Sequence, residues 1–283
     1  MAAARWKIAD QTIEFSPGAL IMGVLNVTPD SFSDAGEFYD TDKAVEHGLQ
    51  MSRDGAAILD IGGESTRPGS ESVAEDEELR RVLPVIRRLR SATEALISID
   101  TAKASVARAA WDAGASIIND ISGGRADDAM MPLAGESGCG FIIMHMQGTP
   151  RTMQKAPHYD DVVREVGEFF RQQYTRALEC GIEPMAIAFD PGIGFGKTLE
   201  HNLELLRNLP RLRVDDRPLV VGVSRKSFLG KVTGSSDISD RIAPTIAMTA
   251  LLRERGADVL RVHDVKPNTL GLRATEALLE DAR

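Results

Sequence analysis

The sequence predicts an α/β protein, a (β/α)8 TIM barrel entered by a short N-terminal hairpin. Three observations lead there. Eight short apolar runs are spread through the 283 residues, the intervals between them carry helical periodicity, and one local pattern recurs three times. The runs are residues 20–25, 57–61, 96–99, 116–118, 141–144, 186–189, 219–223 and 259–262. Each is almost continuously apolar, as a strand covered on both faces of a parallel sheet must be. Between them, Leu79, Val82, Leu83, Ile86 and Leu89 recur at three and four spacing, as do Val163, Val166, Phe170 and Tyr174. That spacing lays one apolar stripe along a helix.

The recurring pattern is Asp54-Gly-Ala-Ala-Ile-Leu-Asp60, Ala113-Gly-Ala-Ser-Ile-Ile-Asn119 and Arg255-Gly-Ala-Asp-Val-Leu-Arg261. In each, a glycine stops a helix, a small residue leads into a strand, and a polar residue closes it. Eight strands alternating with helices in a chain of this length point to a closed barrel. A doubly wound sheet is the alternative, although that fold does not need all eight units. Residues 5–16, around Trp6 and Phe15, read as the hairpin. No linker or low-complexity stretch interrupts the chain, so residues 1–283 read as a single domain.

Composition narrows the class of function. A hydrophobic share of 43% with 27% charged residues suits a globular protein of ordinary core size. No run of about 18 apolar residues exists to span a membrane, and the start, Met1 to Trp6, is too short and polar for a secretory signal. Cys139 and Cys180 form neither a framework nor a C-x-x-C pair, which suits a reducing, cytoplasmic setting. A net charge of −9 argues against nucleic-acid binding. An anionic substrate would have to be met by a local cluster of cations.

In such barrels chemistry sits at the C-terminal ends of the strands. Here nearly every run ends in a polar group: Asn26, Asp60, Asp100, Asn119, His145, Asp190, Ser224 with Lys226, and Arg261 with His263. One polar residue after a strand is more often a cap than a catalyst, and Asp120 and Thr101 read that way. Eight together are harder to dismiss. Two loops, 27–38 and 62–71, combine glycine or proline with hydroxyls; they read either as ordered surface loops or as lids over a site. The stretch Asp190-Pro-Gly-Ile-Gly-Phe-Gly-Lys-Thr198 misses the phosphate-loop pattern, with Pro191 where glycine is needed. Its glycines instead suit close approach of backbone to a flat ligand, with Phe195 available to cover a face. No closed zinc spacing, serine elbow or cysteine–histidine pattern is present, so a substrate is expected to bring its own nucleophile. His263, between Arg261 and Asp264, reads as ligand-facing, with a core histidine as the alternative.

These segments resemble the dihydropteroate synthases over nearly the whole chain, from Leu20 to Val265. The matching stretches are Asn26-Val-Thr-Pro-Asp-Ser-Phe, Asp60-Ile-Gly-Gly-Glu-Ser-Thr-Arg-Pro-Gly, Ser98-Ile-Asp-Thr101, Ile118-Asn-Asp120, Met144-His-Met-Gln-Gly148, Asp190-Pro-Gly-Ile-Gly-Phe-Gly-Lys, Gly222-Val-Ser-Arg-Lys-Ser-Phe and Arg261-Val-His-Asp-Val. The resemblance implies the same barrel, and the condensation of 6-hydroxymethyl-7,8-dihydropterin pyrophosphate with p-aminobenzoate. It implies that Asp100, Asn119 and Asp190 read the amino-oxo edge of the pterin and Lys226 its oxo side. Ile121, Met144 and Phe195 flank the ring, with Gly222 beside it. Asn26, Thr66, Arg261 and His263 match the pyrophosphate pocket, Asn26 also holding Mg²⁺. Thr66, Arg67, Pro68, Ser224 and Lys226 match the p-aminobenzoate site. Catalysis would then rest on Lys226, Arg261, His263 and Asp190. The family also implies a homodimer and sulfonamides as p-aminobenzoate mimics. A pterin-dependent methyltransferase shares the barrel and floor but has no use for the pyrophosphate pocket or the 224–228 segment. A non-catalytic pterin-binding relative would be expected to lose Asn26, Asp190 or Lys226. An unrelated sugar-phosphate isomerase would use Asp190 and His263 for proton transfer.

Overall fold

The computed structural model describes residues 4–16, 18–28, 37–66 and 69–280. The chain opens on an antiparallel hairpin of β1 (Arg5–Ile8) and β2 (Gln11–Glu14). Eight parallel strands follow: β3 (Leu20–Asn26), β4 (Ile58–Gly62), β5 (Leu96–Asp100), β6 (Ile117–Asp120), β7 (Gly140–Met144), β8 (Ile187–Asp190), β9 (Val220–Val221) and β10 (Val259–Val262). Consecutive strands pair from β3 to β8, and β10 pairs with both β9 and β3. A parallel bridge from Phe189 to Leu219 joins β8 to the start of β9, and the Phe189 N–H donates to the Pro218 carbonyl at 2.9 Å. The ring therefore closes, and the doubly wound alternative falls away.

Four strands end one residue beyond the apolar runs, at Asn26, Gly62, Asp100 and Asp190, and a fifth ends two residues beyond, at Asp120. The reason is physical: an apolar run stops where side-chain chemistry changes, while the backbone ladder continues through buried polar residues until its pairing stops. The 219–223 run shows the converse, since Val220 and Val221 form the strand, Leu219 adds a single bridge and Val223, though buried, lies outside the pairing.

The helices between the strands are α1 (Glu37–Arg53), α2 (Glu75–Arg90), α3 (Ala104–Asp112), α4 (Met130–Ser137), α5 (Val162–Glu179), α6 (Leu199–Arg207), α7 (Ser227–Thr233), α8 (Ile242–Glu254) and α9 (Val265–Glu280). As the periodicity predicts, α2 buries Val82, Ile86 and Leu89, and α5 buries Val163, Val166 and Phe170. The repeat glycines after α1, α3 and α8 have φ of 106°, 111° and 87° at Gly55, Gly114 and Gly256. A side chain at those angles would be strained, so glycine is what lets the helix stop and the strand begin.

The hairpin seals the N-terminal end of the barrel. Trp6, Ile8 and Phe15 pack with Met22, Ile58, Ile117, Ile142, Ala188, Val220 and Val259, residues near the start of seven strands. The Trp6 indole N–H donates to the Ala186 carbonyl at 2.8 Å, which anchors the plug. Among the described residues, no helix is long and apolar enough to cross a membrane.

Candidate active site

At the opposite end, register places Asp100 beside both Gly62 and Asn119, and Asp190 beside Met144. Asp60, fully buried one turn of the pleat below, is the hub. Its Oδ2 accepts from Arg261 Nε at 2.6 Å and from Asn119 Nδ2 at 3.1 Å. The same guanidinium reaches Asp100 Oδ2 at 2.7 Å. Burial pulls the Arg261 pKa down, yet Asp60 and Asp100 more than reverse that and hold it above its ordinary value. Burial raises the Asp100 carboxyl to about 7; Arg261 opposes the rise, while Asp60, Glu78 and Asp120 add to it. Among the described residues none donates to Asp60 Oδ1, so the floor carries a buried acceptor still able to take a ligand N–H.

Across the barrel, Asp190 is raised by burial, with Lys226 the main opposing influence. Its Oδ1 accepts from the Gly192 N–H at 2.7 Å. Lys226 is lowered by burial to about 8, with Asp190 pulling the other way. Its ammonium donates to the Ile193 carbonyl and lies 4.8 Å from the centre of the Phe195 ring. Two cations and several carboxylates are thus interleaved in one electrostatically coupled cluster. The apolar side is a separate small core of Ile121, Met144, Met146 and Met153, with Phe195 packed on it.

The glycine stretch supplies the wall between these groups. Gly192 has φ 62°, and a Cβ there would stand 1.9 Å from the His145 carbonyl oxygen, so only glycine allows the approach. Lys197, which a phosphate loop would aim at a ligand, is 3% exposed and points into the protein. Thr198 instead caps α6, accepting from the His201 N–H at 3.2 Å.

The structure gathers most of the residues singled out from sequence. Asn26 lies next to Asp100 across Gly62, where a Cβ would contact both. Gly222 approaches Arg261, 3.6 Å from its Cβ to a Cβ placed on the glycine. His263 Nδ1 and the Ser224 hydroxyl are 3.1 Å apart. Thr66 and Asp100 line a cavity of about 560 Å³ together with Ile121, Glu64, Glu78 and Lys103. Lys103 bridges Glu64 and the buried Glu78, both at 2.5 Å, so the base of the 62–71 loop is pinned to α2 and to the loop after β5. Arg67, Pro68 and residues 29–36 lie outside the described residues. Asp264 pairs with Arg225 at 2.5 Å. Asp120 orders its own loop, accepting from the Ser122 and Gly124 amides at 2.7 and 2.8 Å, and Thr101 accepts from the Lys103 amide at 3.2 Å. Two residues received no site role from the sequence: Asp60, named there only as a polar strand end, and Lys197. The sequence did hold a signal for the first, because Asp60 closes one of the three repeats whose other ends are Asn119 and Arg261.

Fold and site together define a barrel enzyme that binds a flat, donor-rich ring at its strand ends, with cations at hand for an anionic group. Residues 22–263 match the family model described as pterin binding enzyme, and the chain belongs to that family. A relative named dihydropteroate synthase, from Synechocystis sp., is 45% identical over 91% of this chain and 89% of its own length. A solved structure of the Xanthomonas albilineans dihydropteroate synthase with 4-aminobenzoic acid is similar with a TM-score of 0.91 and 41% identity, covering 98% of this chain and 99% of that one. The Burkholderia cenocepacia dihydropteroate synthase complexed with 7,8-dihydropteroate gives 0.90 at 39% identity, covering 100% and 99%.

Proposed function

We propose that the chain is a dihydropteroate synthase, condensing 6-hydroxymethyl-7,8-dihydropterin pyrophosphate with p-aminobenzoate to give 7,8-dihydropteroate and pyrophosphate. The observation that carries this is the floor: Asp60, Asp100, Asn119 and Asp190, from four strands, converge beside an apolar wall and two cations. A pterin's amino-oxo edge offers several N–H donors in a row, and carboxylates accept such a row with charge-assisted bonds. In this reading Asp100, Asn119 and Asp190 orient the ring, Lys226 donates to its oxo side, and Ile121, Met144 and Phe195 cover its faces beside Gly222.

The residues then act mainly by electrostatics. Arg261 and His263, with Thr66 and Asn26, meet the pyrophosphate and offset charge as the methylene C–O bond breaks. Arg261 is held by Asp60 and Asp100 from below, which pre-sets its position. Thr66, Arg67, Pro68, Ser224 and Lys226 hold p-aminobenzoate so that its amine attacks the methylene and sheds its proton. No strong general base is required by this chemistry.

Mg²⁺ fits only as a substrate-borne ion. Among the described residues no group of three His, Cys, Asp or Glu can hold a metal, and Asn26 offers one hard oxygen. When bound with pyrophosphate it would neutralise the leaving group. We also propose a homodimer, supported by the resemblance and by exposed Leu251 on α8 with Leu270 and Leu278 on α9. The unpaired thiols of Cys139 and Cys180 support a cytoplasmic setting for a single pterin-binding domain, residues 1–283.

The test is pyrophosphate release from the pterin substrate by purified protein. Release should require p-aminobenzoate, stop in EDTA and return with added Mg²⁺. Release at the same rate without p-aminobenzoate, or none at all, would overturn the reading.

A further inference from the structure

Residues 192–196 present five consecutive carbonyl oxygens, and each accepts from a side chain. Gly192 and Phe195 accept from Lys197 Nζ at 3.1 and 3.0 Å. Ile193 accepts from Lys226, Gly194 from Gln154 Nε2 at 2.7 Å, and Gly196 from the Tyr159 hydroxyl at 2.9 Å. Lys197 alone holds two of the five. It also reaches across to the end of β7, 2.9 Å from His145 Nδ1 and 3.3 Å from the His145 carbonyl. Its hydrogen-bond partners include no carboxylate. A buried lysine bonded only to carbonyls and an imidazole is costly to keep: burial pushes its pKa well below the ordinary lysine value, opposed by nearby Asp190 and reinforced by Lys226 and Arg125. Burial likewise drives the His145 pKa down, to about 2, with Lys197 adding to the effect, so its ring stays neutral and can accept. The ring is fixed edge-on to Phe169 at 4.8 Å.

We infer that Lys197 is a positioning residue that clamps the glycine loop against β7 and so sets the width of the pterin slot. The loop and strand it joins carry Phe195 and Met144, two of the three covers of the ring. Between its two anchored carbonyls lies Ile193, whose own carbonyl fixes Lys226. Gly192, one of its acceptors, donates to Asp190. One buried ammonium thus ties together four groups that would touch the pterin, without touching it. Of the p-aminobenzoate residues, Lys226 is shared with the pterin and rests on the clamped loop through Ile193, whereas Thr66 and Ser224 lie on other loops. The inference rests on the dihydropteroate synthase reading for its choice of ligand.

The experiment compares Lys197→Met, which keeps length and removes the donors, with Lys197→Arg, which restores them. Calorimetry with a non-reactive pterin analogue and steady-state kinetics with both substrates are the readouts. Lys197→Met should weaken analogue binding and raise KM for the pterin substrate about tenfold or more, as expected for two loosened charge-assisted contacts. KM for p-aminobenzoate should rise less than KM for the pterin substrate, since only Lys226 is shared, and Lys197→Arg should recover part of the pterin affinity. A lower melting temperature with unchanged pterin affinity would make Lys197 merely structural and overturn the inference. If Lys197→Met does not fold, His145→Leu decides, with lowered pterin affinity in support and unchanged affinity against. Wild-type protein that binds the analogue but releases no pyrophosphate would defeat the reaction assignment alone, since the calorimetric comparison still stands.

Discussion

At the N-terminal end of the barrel, Trp6, Ile8 and Phe15 meet Met22, Ile58, Ile117 and their neighbours, and Trp6 Nε1 has its carbonyl partner. At the C-terminal end the same strands finish in Asp60, Asp100, Asn119 and Asp190, equally buried and ringed by Arg261 and Lys226. The lower end is stabilised by a non-directional force that rises with area, so any well-shaped apolar set would serve. The upper end is under opposite pressure. Each charge there loses hydration and is kept only by a partner of fixed geometry, and Asp100 shows the strain as a carboxyl raised to about 7. One end holds the barrel together; the other holds a surface that a ligand completes.

Four substitutions probe that division. Asp190→Ala should have the largest effect on function, lowering pterin affinity and turnover by about a thousandfold through two or three lost charge-assisted hydrogen bonds. Its circular dichroism and denaturation midpoint should match wild type, and calorimetry with near wild-type affinity would break the comparison. Trp6→Ala at the other end should lower stability by about 3–5 kcal/mol in urea titration, with both KM values unchanged.

Asp100→Asn tests the coupling between charge and ligand. With its carboxyl near 7, Asp100 carries more protons folded than unfolded between roughly pH 4 and 7. That contribution favours the folded state at low pH and is lost as pH rises through about 7. In the proposed reading Asp100 accepts from the pterin as a carboxylate, so affinity should move the other way, falling up to about tenfold per pH unit below 7. Lys226, lowered to about 8, should give the alkaline limb as it loses its proton. The kcat/KM profile for the pterin substrate should therefore be a narrow bell, and Asp100→Asn should lose the acid limb while keeping the alkaline one. An unchanged acid limb would assign it elsewhere. The smallest effect expected is Ile8→Val, about 1 kcal/mol of stability with no kinetic change.

Much of this was legible from the residues in order. Gly55, Gly114 and Gly256 announced where helices stop, and the closing residues of those three repeats meet as Asp60, Asn119 and Arg261. What was not legible was who partners whom. The resemblance assigns Arg261 to the pyrophosphate pocket but says nothing of its bonds to Asp60 and Asp100, 201 and 161 residues away along the chain. Lys197 sits in a stretch that mimics a phosphate loop and is turned inward, because the positive φ at Gly192 and Gly196 folds the loop over its ammonium.

The sequence by itself determined the eight-fold alternation, the polar strand ends and the family, because periodicity, glycine stops and side-chain chemistry are local properties of the chain. Only the tertiary structure decided that Asp60 is the hub of the floor, that Asp100 is pushed toward neutrality and that Lys197 clamps a loop. Burial and partner distance set those outcomes, and both depend on closing the barrel, which brings residues far apart in the chain within hydrogen-bonding reach.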